Sequence, residues 1–159
     1  MSEFNPQTQD HGGADRLLKD APVGRLATCR GSEPYVVPVS FVYENGRIIV
    51  HGSAKGKKMD NITSNPKVCF EVDESEFVPD EDPCKLHWKY RSVVAAGTAR
   101  VLEDPEEIVA ALKLLVDKYA PGKGSLITRE RTESYENLAL VEIVVDELTE
   151  KKVGHQTGG

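Results

Sequence analysis

Apolar periodicity begins at residues 15–20, where Leu17 and Leu18 punctuate a charged stretch that stops before Pro22, and a short helix is predicted there. Three runs rich in β-branched and aromatic residues follow, at 24–30, 35–43 and 47–51. They are separated by a turn at 31–34 and by Glu44-Asn45-Gly46, whose Asn-Gly pair suits positive φ. Such close spacing predicts antiparallel hairpins. Pro38 lies inside the second run and has no N–H for a ladder, so that strand is expected to be bulged, unpaired or at an edge there. Residues 56–64 read as a second short helix with Met59 and Ile62 on one face. In 67–73, Val68, Phe70 and Val72 alternate with Glu71 and Asp73, the pattern of a half-buried strand.

An acidic loop is expected over 74–87, then a long strand over 88–102 in which Ala95, Ala96, Gly97 and Ala99 permit tight curvature. A helix over 105–119 carries the strongest terminal signals. Asp104 is placed as N-cap, Pro105 at the first helical position and Glu107 to close a capping box, and Ile108, Val109, Leu112, Leu115, Val116 and Tyr119 form its apolar stripe. A polar connection (123–136) leads to a last strand over 138–148. Three of the five connections between the predicted strands are short, whereas a parallel sheet needs a crossover after nearly every strand. The expected architecture is mainly β: a six-stranded antiparallel barrel with flanking α-helices. The second run is apolar on both faces, which suits a barrel that also presents a surface to a partner chain.

The 159 residues are enough for one core, predicted to occupy 14–149 between a flexible N-terminus at 1–13 and a flexible tail at 150–159. A formal charge of −6 argues against a domain that works by embracing nucleic acid or anionic lipid. No apolar stretch is long enough to span a bilayer and the amino end has no secretory pattern, so a cytoplasmic location without membrane association is expected. Cys29, Cys69 and Cys84 are odd in number and far apart, the pattern of reduced, buried thiols. Cys84 and His87 form half of a zinc spacing with no second half, and no metal is expected.

The informative chemistry lies in 51–61, His-Gly-Ser-Ala-Lys-Gly-Lys-Lys-Met-Asp-Asn, which ends a strand and opens a helix. A helix N-terminus carries partial positive charge and ordinarily attracts Asp or Glu, as the 105–119 helix shows with Asp104, Glu106 and Glu107. Here Lys55, Lys57 and Lys58 crowd that end instead, each unfavourable by a few tenths of a kcal/mol or more unless an anion sits there. A phosphate would use the ammonium groups, the Ser53 hydroxyl and the close approach that Gly52 and Gly56 permit; the other reading is a solvated basic turn. The segment is not a Walker loop, which excludes the usual nucleotide-hydrolysis signature. Arg91 and Ser92 could add contacts from the long strand, or Arg91 could be an edge-strand charge. Val37, Pro38, Val39 and Ser40 could form an apolar wall for a flat heteroaromatic ring. His51 is the side chain best placed to donate a proton near neutral pH beside such a ring.

Taken in order, Gly24-Arg25-Leu26-Ala27-Thr28, the run from Pro34 to Tyr43, Ile49-Val50-His51-Gly52-Ser53-Ala54 with Gly56 and Lys58, and Tyr90-Arg91-Ser92-Val93 with Gly97 resemble the pyridoxamine 5′-phosphate oxidase-related flavin-binding split barrels, and within them the nitroimidazole-resistance branch. The resemblance covers about residues 14–149. It implies a split barrel that binds FMN at a homodimer interface, both chains contributing to each site. By matched position, Val37, Pro38, Val39 and Ser40 would lie along the isoalloxazine, Ser53, Lys55, Lys57 and Lys58 would hold the phosphate, and Arg91 and Ser92 would reach the cofactor. His51 matches the histidine beside the flavin. The Arg- and His-bearing C-terminal extension through which true pyridoxamine phosphate oxidases hold substrate has no match in this sequence, so vitamin B6 oxidation is not expected. The activity so implied is an FMN-dependent oxidoreductase that passes hydride or electrons to a small, electron-poor acceptor such as a nitro compound, with NAD(P)H as the candidate donor. The alternative is a flavin- or heme-binding protein without turnover.

Overall fold

The computed structural model of the protein describes residues 12–154. In chain order the elements are α1 (Gly12–Asp20), β1 (Gly24–Arg30), β2 (Glu33–Val39), β3 (Phe41–Glu44), β4 (Arg47–Ser53), α2 (Lys57–Ser64), β5 (Lys67–Val78), β6 (His87–Val101), α3 (Pro105–Tyr119), a 3-10 turn (Lys123–Leu126), α4 (Arg129–Glu133) and β7 (Leu138–Val153). The strands make one antiparallel sheet in the order β2-β1-β5-β6-β7-β4-β3. Its two edges, β2 and β3, are consecutive in the chain with only Ser40 between them, so the sheet curls until its edges meet at that residue. The result is a split barrel with helices around it.

The strand count is seven rather than six because the run over 35–43 divides at Ser40. Its first part pairs with β1, Val39 opposite Gly24, and its second with β4, Phe41 opposite Val50. Pro38 stays in register opposite Arg25, on an edge strand where its missing N–H deprives no second neighbour, and the break falls two residues later. Tyr119 holds that break. Phe41 N donates to its hydroxyl at 2.9 Å, and the hydroxyl lies 2.8 Å from the Pro22 carbonyl oxygen and 3.1 Å from that of Phe41. Beside it, Lys118 Nζ donates to the Ala21 carbonyl at 2.7 Å and sits 3.5 Å from the centroid of the Phe41 ring.

Two cores follow from strand alternation. Inside the barrel, Leu26, Phe41, Ile48, Phe70, Val93 and Ile143 are fully shielded and are closed over by Leu17 and Leu18 of α1 and by Met59 and Ile62 of α2. Each such side chain contributes about 1.5–3 kcal/mol by leaving water. Outside the barrel, α3 lays Ala111, Leu112 and Leu115 on Ile49 and Leu140, which covers the β4–β7 part of the outer face.

Several boundaries depart from the sequence reading. The hairpin β5–β6 continues to Val78 and His87, with Phe77 and Trp88 paired and their rings 5.2 Å apart, so the acidic loop shrinks to 79–86. The connection 123–136 is not featureless: it holds the 3-10 turn and α4, whose N-cap Thr128 accepts from Arg131 N. β7 pairs through Val153 with Tyr90, so residues 150–153 belong to the sheet and not to a tail; residues 1–11 and 155–159 lie outside the described residues. Asp104 caps α3 through Glu106 N at 3.0 Å, but Glu107 does not close a capping box, because its carboxylate is engaged by Arg100 at 3.0 and 3.3 Å. The thiols are free, yet Cys69 and Cys84 are exposed and Cys29 half-buried, not buried as expected. Cys69 alternates with the inward Val68 and Phe70 and therefore faces out. Among the described residues no helix is long and apolar enough to cross a membrane.

Candidate functional site

The split opens at the residues singled out in the sequence. The β3–β4 ladder ends with Phe41 opposite Val50; continued by one step it would set Ser40 opposite His51, but there the chain turns away toward β1. On the departing side Val39 is buried in the barrel core and Val37 packs against it, whereas Pro38 is exposed and Ser40 half-buried on the other face. Of this expected apolar wall, therefore, Val37 and Val39 serve the core. What remains available at the split is backbone together with Pro38 and Ser40.

On the other side, β4 runs into the turn that begins α2. Gly56 is the N-cap with φ 122°, a backbone conformation that side-chain-bearing residues rarely adopt, and no side chain caps the helix. The first-turn amides of α2 are therefore left for another acceptor. Lys58 folds back so that its ammonium lies against Gly52, where an added Cβ would collide with it, and the bare glycine makes room for it. That ammonium is half-buried, has no ion-pair partner among the described residues, and is held below the usual lysine pKa by burial. Lys57 points elsewhere, 5.0 Å from the centroid of the Tyr35 ring and 4.0 Å from the Glu33 carboxylate. Lys55 is exposed. The three expected ammonium groups thus diverge, and Lys58 is the one turned back over the strand end.

Asn137, just before β7, pins this turn and escaped the sequence reading. Its side-chain nitrogen donates to Ser53 Oγ at 2.9 Å, and its carbonyl oxygen accepts from Ala54 N at 3.1 Å. Ser53 Oγ in turn accepts from Lys55 N at 3.2 Å. A lone Asn in a polar connection carries no sequence signal; only the pairing of Ser53 with Leu138 brings it here.

Alternation sends His51 to the opposite face from Gly52, into a cleft of about 750 Å³ between α3 and the segment 134–138. Leu112, Val116, Ile127 and Leu138 form its apolar wall, and Tyr135 is a largely exposed ring at its edge. Desolvation by these walls, and then the Lys58 charge, hold the His51 imidazole below its ordinary value, so it is mostly neutral at pH 7.

Arg91 and Ser92 lie far from this corner. The ladder sets Leu140 beside His51 on β7 and Val141 opposite Val101 on β6, ten residues from Arg91, which is about 33 Å of strand at ~3.3 Å per residue. The two also face opposite ways. Arg91 turns inward with its side chain 14% exposed, Nε 3.1 Å from a Glu150 oxygen, and its guanidinium packs at Gly13 of α1. Ser92 lies on the outer face, between Asp73 and Lys151 in the ladders. Within one chain Ser92 does not converge with Lys58; a ligand touching both would need a second copy. No group of three or more His, Cys, Asp or Glu side chains placed for a metal occurs among the described residues.

The residues of the α2 turn fit a phosphate ester: amides unpaired among the described residues, a glycine that allows close approach, and a half-buried ammonium with no counter-ion among those residues. Comparison with known proteins agrees in fold. A 5a,11a-dehydrotetracycline/5a,11a-dehydrooxytetracycline reductase of Streptomyces rimosus is 42% identical over 90 residues, 54% of this chain and 58% of that protein, so the match spans little more than half of the relative. The structure of the flavocytochrome Anf3 from Azotobacter vinelandii superposes with a TM-score of 0.78 at 22% identity, over 95% of this chain and 69% of that one. A Bacteroides thetaiotaomicron protein named for 5-nitroimidazole antibiotic resistance gives 0.76 at 23% identity, over 90% and 84%. These two likenesses carry the fold. The model of the family described as pyridoxamine 5′-phosphate oxidase matches residues 10–152, nearly all of this sequence, and the chain belongs to that family.

Proposed function

We propose that the protein is an FMN-binding oxidoreductase that passes electrons from reduced flavin to a small electron-poor acceptor. The observation that carries this reading is Lys58: a half-buried cation without a partner among the described residues, beside an uncapped helix start, is destabilising until an anion arrives. The phosphate of FMN is a dianion of suitable size, and the family and the reductase relative supply the redox context. When bound, the flavin supplies hydride or electron transfer; the chain's own residues bind, orient and manage protons. Lys58 and the first-turn amides of α2 hold the phosphate, Asn137 fixes the Ser53 turn beside it, and Lys55 and Lys57 add charge around it. Pro38, Ser40 and the backbone of Val37 and Val39 border the ring at the split.

His51 handles the proton. Neutralising Lys58 removes a charge that lowers the imidazole pKa, so anion binding raises it toward the neutral range and readies Nε2 or Nδ1 to protonate an acceptor. The neighbouring outer face, left uncovered by α3, carries Val36 at 60% exposed and Val94 at 40%. We assign it to a second copy of this chain, which would bring Ser92 of one protomer toward the ligand of the other.

The test is direct. Purified protein is expected to carry, or to take up in stoichiometric amount, a flavin with visible absorption bands, identified as FMN by mass spectrometry. Absence of flavin and no binding of added FMN would remove the proposal. Reduction by NADH or NADPH no faster than that of free FMN would assign the protein to flavin binding without turnover.

A further inference from the structure

The cleft on the outer face of β4 is not used by the phosphate site, and its construction says what it takes. One wall is apolar, from Leu112 and Val116 on α3, Ile127 after the 3-10 turn and Leu138 at the start of β7; the rest of the lining is polar, from His51, Ser134, Tyr135, Glu136 and Asn137. Its volume of about 750 Å³ is that of a site for a drug-sized molecule, which typically lies within roughly 300–1,000 Å³, and a single five- or six-membered ring would leave most of the wall wet. Asn137 both lines this cleft and pins the Ser53 turn, and His51 is one residue from Gly52, over which Lys58 lies. The cleft and the anion corner are therefore built on the same strand end.

Resting on the flavin reading above, we propose that this cleft is the acceptor site and that it takes a flat, uncharged, multi-ring ketone or quinone. One carbonyl oxygen would accept a hydrogen bond from His51, and the ring system would lie against the apolar wall with Tyr135 at its edge. A one-ring nitro compound would gain only a part of that contact. The specificity-determining residues are then Leu112, Val116 and Tyr135, none of which holds the phosphate.

The probe is 9,10-phenanthrenequinone, with 1,4-benzoquinone as the one-ring comparison, titrated by calorimetry and by NMR into protein already loaded with FMN. The expected result is saturable binding of the three-ring probe at least tenfold tighter than that of benzoquinone, with shifts at His51 and Tyr135. A Val116→Trp variant, which fills the cleft from a half-buried position, and a Tyr135→Ala variant at an exposed one are each expected to weaken the probe at least fivefold while FMN affinity stays within twofold. If FMN binds and the probe does not, or if both variants bind the probe as wild type does, the acceptor site is elsewhere. If the probe displaces FMN, the cleft houses the flavin ring and the inference is overturned. If FMN itself fails to bind, the flavin reading falls, and the acceptor assignment with it.

Discussion

At the residue scale the centre of the proposed site is one cation left uncompensated among the described residues. Among three lysines within four positions, only Lys58 has its ammonium half-buried over Gly52, whereas Lys57 is engaged with Tyr35 and Glu33. Lys58→Ala is therefore expected to weaken FMN binding roughly 10- to 100-fold, the equivalent of a charge-assisted contact of about 1.5–3 kcal/mol, and Lys57→Ala by much less. Fluorescence quenching titrations at low and high salt measure both, and equal effects would argue against the ranking. His51 gives a pH prediction. Its imidazole takes up a proton less readily in the folded protein than in the unfolded chain, whose value is about 6.5. Between those two values the unfolded chain binds more protons, so stability rises with pH through that window and falls on acidification. In phosphate-free buffer the melting temperature is expected to drop from pH 7 to pH 5, and His51→Gln to flatten the slope. An NMR titration of His51 should show its pKa rising when FMN is added; an unchanged pKa would separate His51 from the anion corner.

At the scale of elements, the split depends on how a continuous run of residues is broken. Phe41 changes neighbours at Ser40, and its backbone N–H is satisfied by the hydroxyl of Tyr119 at the end of α3. Tyr119→Phe removes that partner and is expected to cost about 1–3 kcal/mol in urea denaturation, with a measurable loss of FMN affinity because the mouth of the split loosens. Loss of stability without any effect on FMN would confine Tyr119 to the fold. The start of α2 has its own requirement. Gly56 at φ 122° opens the helix, and Gly56→Ala is expected to cost about 1–3 kcal/mol of stability. It should also weaken FMN more than a distant substitution of equal stability cost.

At the scale of the whole molecule the outer face of the sheet divides in two. α3 covers the part over Ile49 and Leu140, and the part bearing Val36 and Val94 remains open. If that open part receives a second copy, Val94→Lys is expected to convert a dimer to a monomer in light-scattering chromatography and to lower FMN occupancy in parallel, since Ser92 lies two positions away on the same face. A Val94→Lys protein that stays dimeric would place the contact elsewhere. Long-range ladders dominate this fold. β6 pairs with β5 and β7 over nearly its whole length, and Gly97 marks the register shift with β7, where a Cβ would stand 2.5 Å from the Val144 carbonyl oxygen. That close approach is one place where curvature enters the barrel.

Local pattern alone determined the antiparallel class, the α3 helix from Pro105 to Tyr119, the inward set on β5 and the corner at residues 51–58, because alternation, capping and charge at a helix end act over a few neighbours. It was silent on what distance in the chain conceals. The division at Ser40 depends on two different strands competing for one run, and the capping-box signal at Glu107 was overridden by Arg100 from the neighbouring strand. Asn137 and Tyr135 stood in a polar connection with no periodicity, and only the pairing of β4 with β7 and the packing of α3 bring them to His51. Three lysines within four positions look equivalent in sequence, but the tertiary structure sends them to different surroundings: Lys58 lies against the bare Cα of Gly52, whereas Lys57 reaches the Tyr35 ring.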